Sequence, residues 1–79
     1  MNMDILNEVK NIVAEVCEVE ISKVNNDSSI GDFDAWDSIG HLTILSTVEE
    51  KFGIEFDPEE MMDLEDINDI VKAVEGKVM

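Results

Sequence analysis

Ile5, Val9, Ile12, Val13 and Val16 recur at spacings of three and four, while Glu8, Asn11, Glu15 and Glu18 fall between them. That periodicity predicts an amphipathic helix over residues 3–19, with Asp4 complementing the dipole at its start. Ile39, Leu42, Leu45, Val48 and Phe52, with Ile44 beside the stripe, predict a second helix over residues 38–52, which reads as the best amphipathic segment. Asp37 is suited to cap its amino end and Gly53 to close it in a left-handed conformation. Ile54 and Phe56 anchor a short extended link, and Pro58 after Asp57 opens a short helix over residues 58–63 that presents Met61 and Met62. Ile67, Ile70, Val71 and Val74 mark a last helix over residues 66–78, with Asp66 as its cap and Gly76 near its fraying end.

Residues 20–37 break the pattern with Ser22, Asn25, Asn26, Asp27, Ser28, Ser29, Gly31 and Asp32, all turn formers. A loop this long in a small domain needs apolar anchors, and Ile21, Val24, Ile30, Phe33 and Trp36 are the candidates. A strand at residues 20–24 finds no partner elsewhere. The expected class is therefore all-α: a small four-helix bundle, three longer helices plus one short, with the long loop between helices one and two.

Seventy-nine residues allow one domain, residues 1–79, and a core of this size gives only about 3–5 kcal/mol of net stability. Twenty Asp and Glu against five Lys, with no Arg, set a formal charge of −15. That charge disfavours nucleic acid and anionic membranes and favours basic partners. The 44% apolar content, interleaved with the acids, argues for a folded chain rather than an acidic tail. Cys17, the lone cysteine, reads as a small semi-buried hydrophobe with no neighbouring cation to activate it. A reducing compartment fits, there is neither a signal-peptide pattern nor an apolar run near the roughly 18 residues a bilayer span requires, and a cytoplasmic monomer is expected.

The candidate chemistry gathers at Asp37-Ser38-Ile39-Gly40-His41-Leu42. With Asp37 as cap, Ser38 stands at the helix amino end with its hydroxyl outward, where unsatisfied N–H groups and the dipole favour a phosphate. His41 suggests a serine hydrolase, yet Trp36 replaces the first glycine of a nucleophile elbow and no strand precedes it, so a surface or partner-contacting histidine is expected. Asp32, Asp34 and Asp37 hint at a calcium loop, but Asp37 then falls where glycine is needed and Thr43 where the bidentate Glu belongs, so no metal site is assigned. Glu49 and Glu50 oppose the dipole in the last turn, which suggests that their acidity serves something outside the fold.

Phe33-Asp34-Ala35-Trp36-Asp37-Ser38-Ile39, followed by Glu49-Glu50-Lys51-Phe52-Gly53-Ile54, resembles the signature of acyl carrier proteins and related phosphopantetheine-binding carrier domains. The resemblance extends over essentially the whole chain. It implies that a phosphopantetheinyl transferase moves 4′-phosphopantetheine from coenzyme A onto Ser38, and that the arm's thiol holds acyl or aminoacyl groups as thioesters. The chain itself then has no catalytic residue. By the same resemblance, Asp37, Ile39, Leu42, Glu49 and Glu50 face acyl-activating or acyl-transferring enzymes with basic docking patches, and adaptable Met61 and Met62 suit a cargo pocket.

Fatty-acid-synthesis members of that family carry an acid two residues after the serine and more acids along the helix, whereas this chain has Gly40, His41, Thr43, Ser46 and Thr47. With Trp36 before Asp-Ser, these residues look more like those of stand-alone carriers of specialised pathways, of polyketide, aminoacyl or D-alanyl type. A housekeeping fatty-acid carrier and an acidic interaction module without cofactor are the alternatives. Gly40 is expected to weaken the first helical turn by about 1 kcal/mol relative to Ala and to loosen the region around Ser38.

Overall fold

A computed structural model describes residues 3–78. Four helices follow in order: α1 (Met3–Cys17), α2 (Ser38–Phe52), α3 (Pro58–Asp63) and α4 (Ile67–Val78), with a single 3-10 turn at Ile21–Lys23 in the long loop. Among the described residues there is no β-strand, only an isolated antiparallel bridge between Ser29 and Asp66.

α1 is the helix on which α2 and α4 pack. Its buried stripe comprises Ile5, Leu6, Val9, Ile12, Val13, Ala14 and Cys17, wider than the periodicity suggested, with Val16 only half-buried. A helix serving two neighbours needs an apolar face broader than one row of three-and-four spacings. α1 also stops two residues earlier than expected. Glu18 takes a left-handed backbone (φ 56°), its N–H bonds the Glu15 carbonyl at 3.3 Å, and the Val19 N–H turns back to Ala14 at 3.0 Å, a Schellman closure built on a glutamate. Burial raises the Cys17 thiol pKa, which keeps it a neutral core group.

The other helix ends follow the sequence. Asp37 accepts the Gly40 N–H, Gly53 closes α2 at φ 65°, and Asp66 accepts the Asp69 N–H at 2.7 Å. At α3, Pro58 stands in the first turn and Glu60 reaches back to the Asp57 N–H at 3.0 Å. That bond, and then the Lys77 ammonium 2.9 Å away, hold the Glu60 carboxyl below its usual pKa. Lys77 also lies 5.9 Å from the centre of the buried Phe56 ring, so α4 is tied to both α3 and the link before it.

Val24 and Trp36 are buried loop anchors and Phe33 packs against the core, whereas Ile21 and Ile30 are exposed, contrary to expectation. Their anchoring role is taken by the backbone. Ile30 N–H bonds the Glu65 carbonyl and Ile67 N–H the Ser28 carbonyl, both at 3.0 Å, stitching the loop to the start of α4. Buried Ser28 supports this turn by accepting the Asn25 N–H.

Candidate functional site

The site is built where the loop runs into α2. Asp37 is extended, its carboxylate accepts the Gly40 N–H at 2.8 Å, and its carbonyl accepts the His41 N–H at 2.8 Å. Ser38 follows as the first helical residue, exposed to solvent. Helix geometry leaves the Ser38 and Ile39 N–H groups without intrahelical acceptors, so the amino end is suited to an anion.

α2 buries a different stripe from the one its spacing suggested. His41, Ile44, Leu45 and Val48 face the core, while Ile39 and Leu42 stand 76% and 57% exposed. The predicted row and the true one share Leu45 and Val48, and apolar residues on two faces make α2 the least clearly amphipathic long helix rather than the best. Ile39 and Leu42 therefore form an apolar surface beside Ser38, whose neighbours Thr43 and Thr47 fold their hydroxyls onto the Ile39 and Thr43 carbonyls.

His41 is not a surface histidine. Trp36, fully buried, donates its indole N–H to His41 Nδ1 at 2.9 Å, and His41 Nε2 meets the Leu64 carbonyl at 2.5 Å. An indole can only donate and a carbonyl can only accept, so the ring is the neutral tautomer with its proton on Nε2. Both nitrogens are occupied, leaving no free base for a serine hydrolase. The indole also stacks on Phe33 and His41, with ring centres 6.4 and 6.2 Å apart. Nothing in the periodicity signals this contact, because a polar residue at position 41 breaks the apolar pattern that would have placed it inside.

Gly40 has a packing role. A β-carbon there would overlap the Ala35 carbonyl oxygen, so the loop lies directly against the first turn of α2. Instead of loosening the region, as its helix propensity suggested, Gly40 lets the loop close onto the helix.

Near the far end of α2, about 17 Å along its axis from Ser38, Glu49 is partly structural. Its backbone carbonyl accepts the Gly53 and Ile54 N–H groups and its carboxylate accepts the Phe56 N–H at 2.8 Å, which explains an acid in a last turn. Glu50 is exposed. Both line an open depression of about 750 Å³ with Ser46, Gly53, Ile54, Glu55 and Phe56. Neither methionine lines it: Met61 packs against the core, and Met62, 80% exposed, is not a core residue.

The family of the phosphopantetheine attachment site matches residues 7–74. The acyl carrier protein of Thermosynechococcus vestitus is 32% identical over 75 residues, covering 95% of this chain and 93% of that protein. That of Campylobacter hominis is 34% identical over 74 residues, covering 94% of each. A segment forming 2% of the non-reducing polyketide synthase AC of Didymella fabae is 33% identical over 67 residues, or 85% of this chain.

Proposed function

The chain belongs to the phosphopantetheine-attachment family of acyl carrier proteins, and from that premise we propose that Ser38 is the residue that bears its cofactor. The observation that carries this reading is an exposed hydroxyl at the first position of a capped helix, beside first-turn N–H groups with no intrahelical acceptor. The residues fit the group: Asp37 spends its carboxylate on the Gly40 N–H, and the helix end favours the phosphodiester's negative charge. Ser38 and Ile39 would hold the phosphate end through their amides, and the bound arm supplies a thiol for carrying acyl groups. The protein is a carrier and not a catalyst, and its part is display and encounter.

Residues 1–79 form one carrier domain in this reading, acting as a cytoplasmic monomer. Among the described residues no helix is long and apolar enough to cross a membrane. Ile39 and Leu42 supply an apolar docking surface, Glu50 with the outer edge of Glu49 meets basic patches on biosynthetic enzymes, and Asp37 flanks the attachment point. Met61 is the better of the two methionines for lining a cargo pocket, since Met62 faces outward. Electrostatic steering shortens the search without making the encounter tight.

The neutral stretch Gly40, His41, Thr43, Ser46 and Thr47 supports a specialised pathway of polyketide, aminoacyl or D-alanyl type. The near full-length likeness to free-standing acyl carrier proteins supports the fatty-acid alternative. Incubation with coenzyme A and a broad-specificity phosphopantetheinyl transferase is expected to add one phosphopantetheine mass to the wild type and none to Ser38→Ala. An unchanged wild-type mass removes the assignment. Intact-mass analysis of protein from its native cells separates the pathways by the group found on the arm.

A further inference from the structure

Trp36 and His41 bracket the Asp37-Ser38 pair in sequence, and in the fold their side chains meet behind it. The backbone of Trp36 is held from both sides: its N–H bonds the Phe33 carbonyl at 2.9 Å and its carbonyl accepts the Gly31 N–H at 2.8 Å. From the indole the chain of bonds passes through the His41 ring to the Leu64 carbonyl. The next carbonyl, that of Glu65, accepts the N–H of Ile30, the neighbour of Gly31. The bonds therefore close a circuit through the loop, α2 and the link between α3 and α4. The His41 ring is the member that joins all three. Ala35, between Trp36 and Phe33, meanwhile rests its carbonyl on Gly40.

We propose that His41 is a positioning residue for modification of Ser38: through Trp36 and Leu64 it fixes the turn that presents the serine hydroxyl to a phosphopantetheinyl transferase. This rests on the assignment of Ser38 as the attachment point. Ser38 is two residues from Trp36 and three from His41, so the bond between the two rings ties the loop just before the serine to the helical turn just after it. A transferase must recognise that cap as a shape, since the serine offers it only a hydroxyl. Preformed geometry lowers the ordering cost of productive binding, and its loss appears mainly as weaker recognition.

The test is steady-state phosphopantetheinylation with coenzyme A and a broad-specificity transferase, followed by intact mass, at a temperature where urea titration shows each variant folded. His41→Leu removes both ring nitrogens, His41→Gln retains one acceptor and one donor, and Trp36→Phe removes the indole N–H together with part of the buried ring. His41→Leu is expected to raise KM for the carrier about tenfold with kcat nearly unchanged, the equivalent of one lost orienting contact. His41→Gln recovers part of that loss. Trp36→Phe also raises KM, and the double variant with His41→Leu is less than additive, because His41→Leu has already broken the bond that Trp36→Phe removes. The indole N–H resonance moves in each His41 variant. A folded His41→Leu with wild-type KM overturns the proposal, as does a fall in kcat alone, which places the effect on the transfer step and not on recognition. Because an unfolded fraction of the carrier would itself raise the apparent KM, KM is expressed against the folded concentration from the urea titration. Should His41→Leu not fold, unchanged KM in Trp36→Phe overturns it. A wild type that takes no modification instead removes the Ser38 assignment, with which this proposal falls.

Discussion

A single absent methyl group decides how near the loop comes to α2. Alanine at position 40 gains about 1 kcal/mol of intrinsic helix preference over glycine, yet its β-carbon meets the Ala35 carbonyl, a backbone atom that cannot rotate away. Overpacking of this kind costs about 1–3 kcal/mol, so Gly40→Ala is expected to be destabilising in urea titration. A gain in stability would show that the loop yields without strain. The Asp37 cap and the exposed Ser38 were legible in sequence because capping is a local matter, settled within three residues. The buried His41 was not, because its partners are Trp36, across the loop boundary, and Leu64, which lies far along the chain. Sequence spacing carries no record of a polar group satisfied at that separation.

For the elements, boundaries set by special residues were readable and the choice of buried face was not. Pro58, Gly53, Asp57 and Asp66 place the ends of α2, α3 and α4. In α2, however, Ile39 and Leu42 keep helical spacing with Leu45 just as His41 does with Ile44, Leu45 and Val48. Only packing on α1 selects between the two rows, and it leaves the apolar pair outside. The exposed Met62 on α3 has the same cause, since so short a helix buries little against its neighbours. α3 depends instead on polar ties, among them those of Glu60. Its pKa is lowered in the fold, so its contribution is present above the ordinary carboxylate pKa of about 4.3 and is lost as pH falls through the depressed value. Glu60→Gln is therefore expected to melt below the wild type at neutral pH, with the gap closing under acid. A gap of constant size across that range would assign the effect to packing alone.

The whole molecule measures 30 × 25 × 19 Å and carries a formal charge of −15. Every acidic group lies within a few screening lengths of most others, since the Debye length is about 10 Å at 0.1 M salt. Salt bridges of Lys51 with Glu8 and of Lys77 with Glu60 offset part of this. Added salt or millimolar divalent cation is expected to raise the melting temperature, and a fall would show that self-repulsion does not limit this fold. The three-helix core was foreseeable from apolar periodicity. The stitching of the loop to α4 was not, because it runs through backbone groups that every residue possesses. The burial of Trp36 has an optical consequence. It is the chain's one tryptophan and it is sealed from water, so its emission is a label-free gauge of the loop beside Ser38. Loading of the carrier, or its capture by an enzyme, can be followed in real time by whether that light shifts to the red.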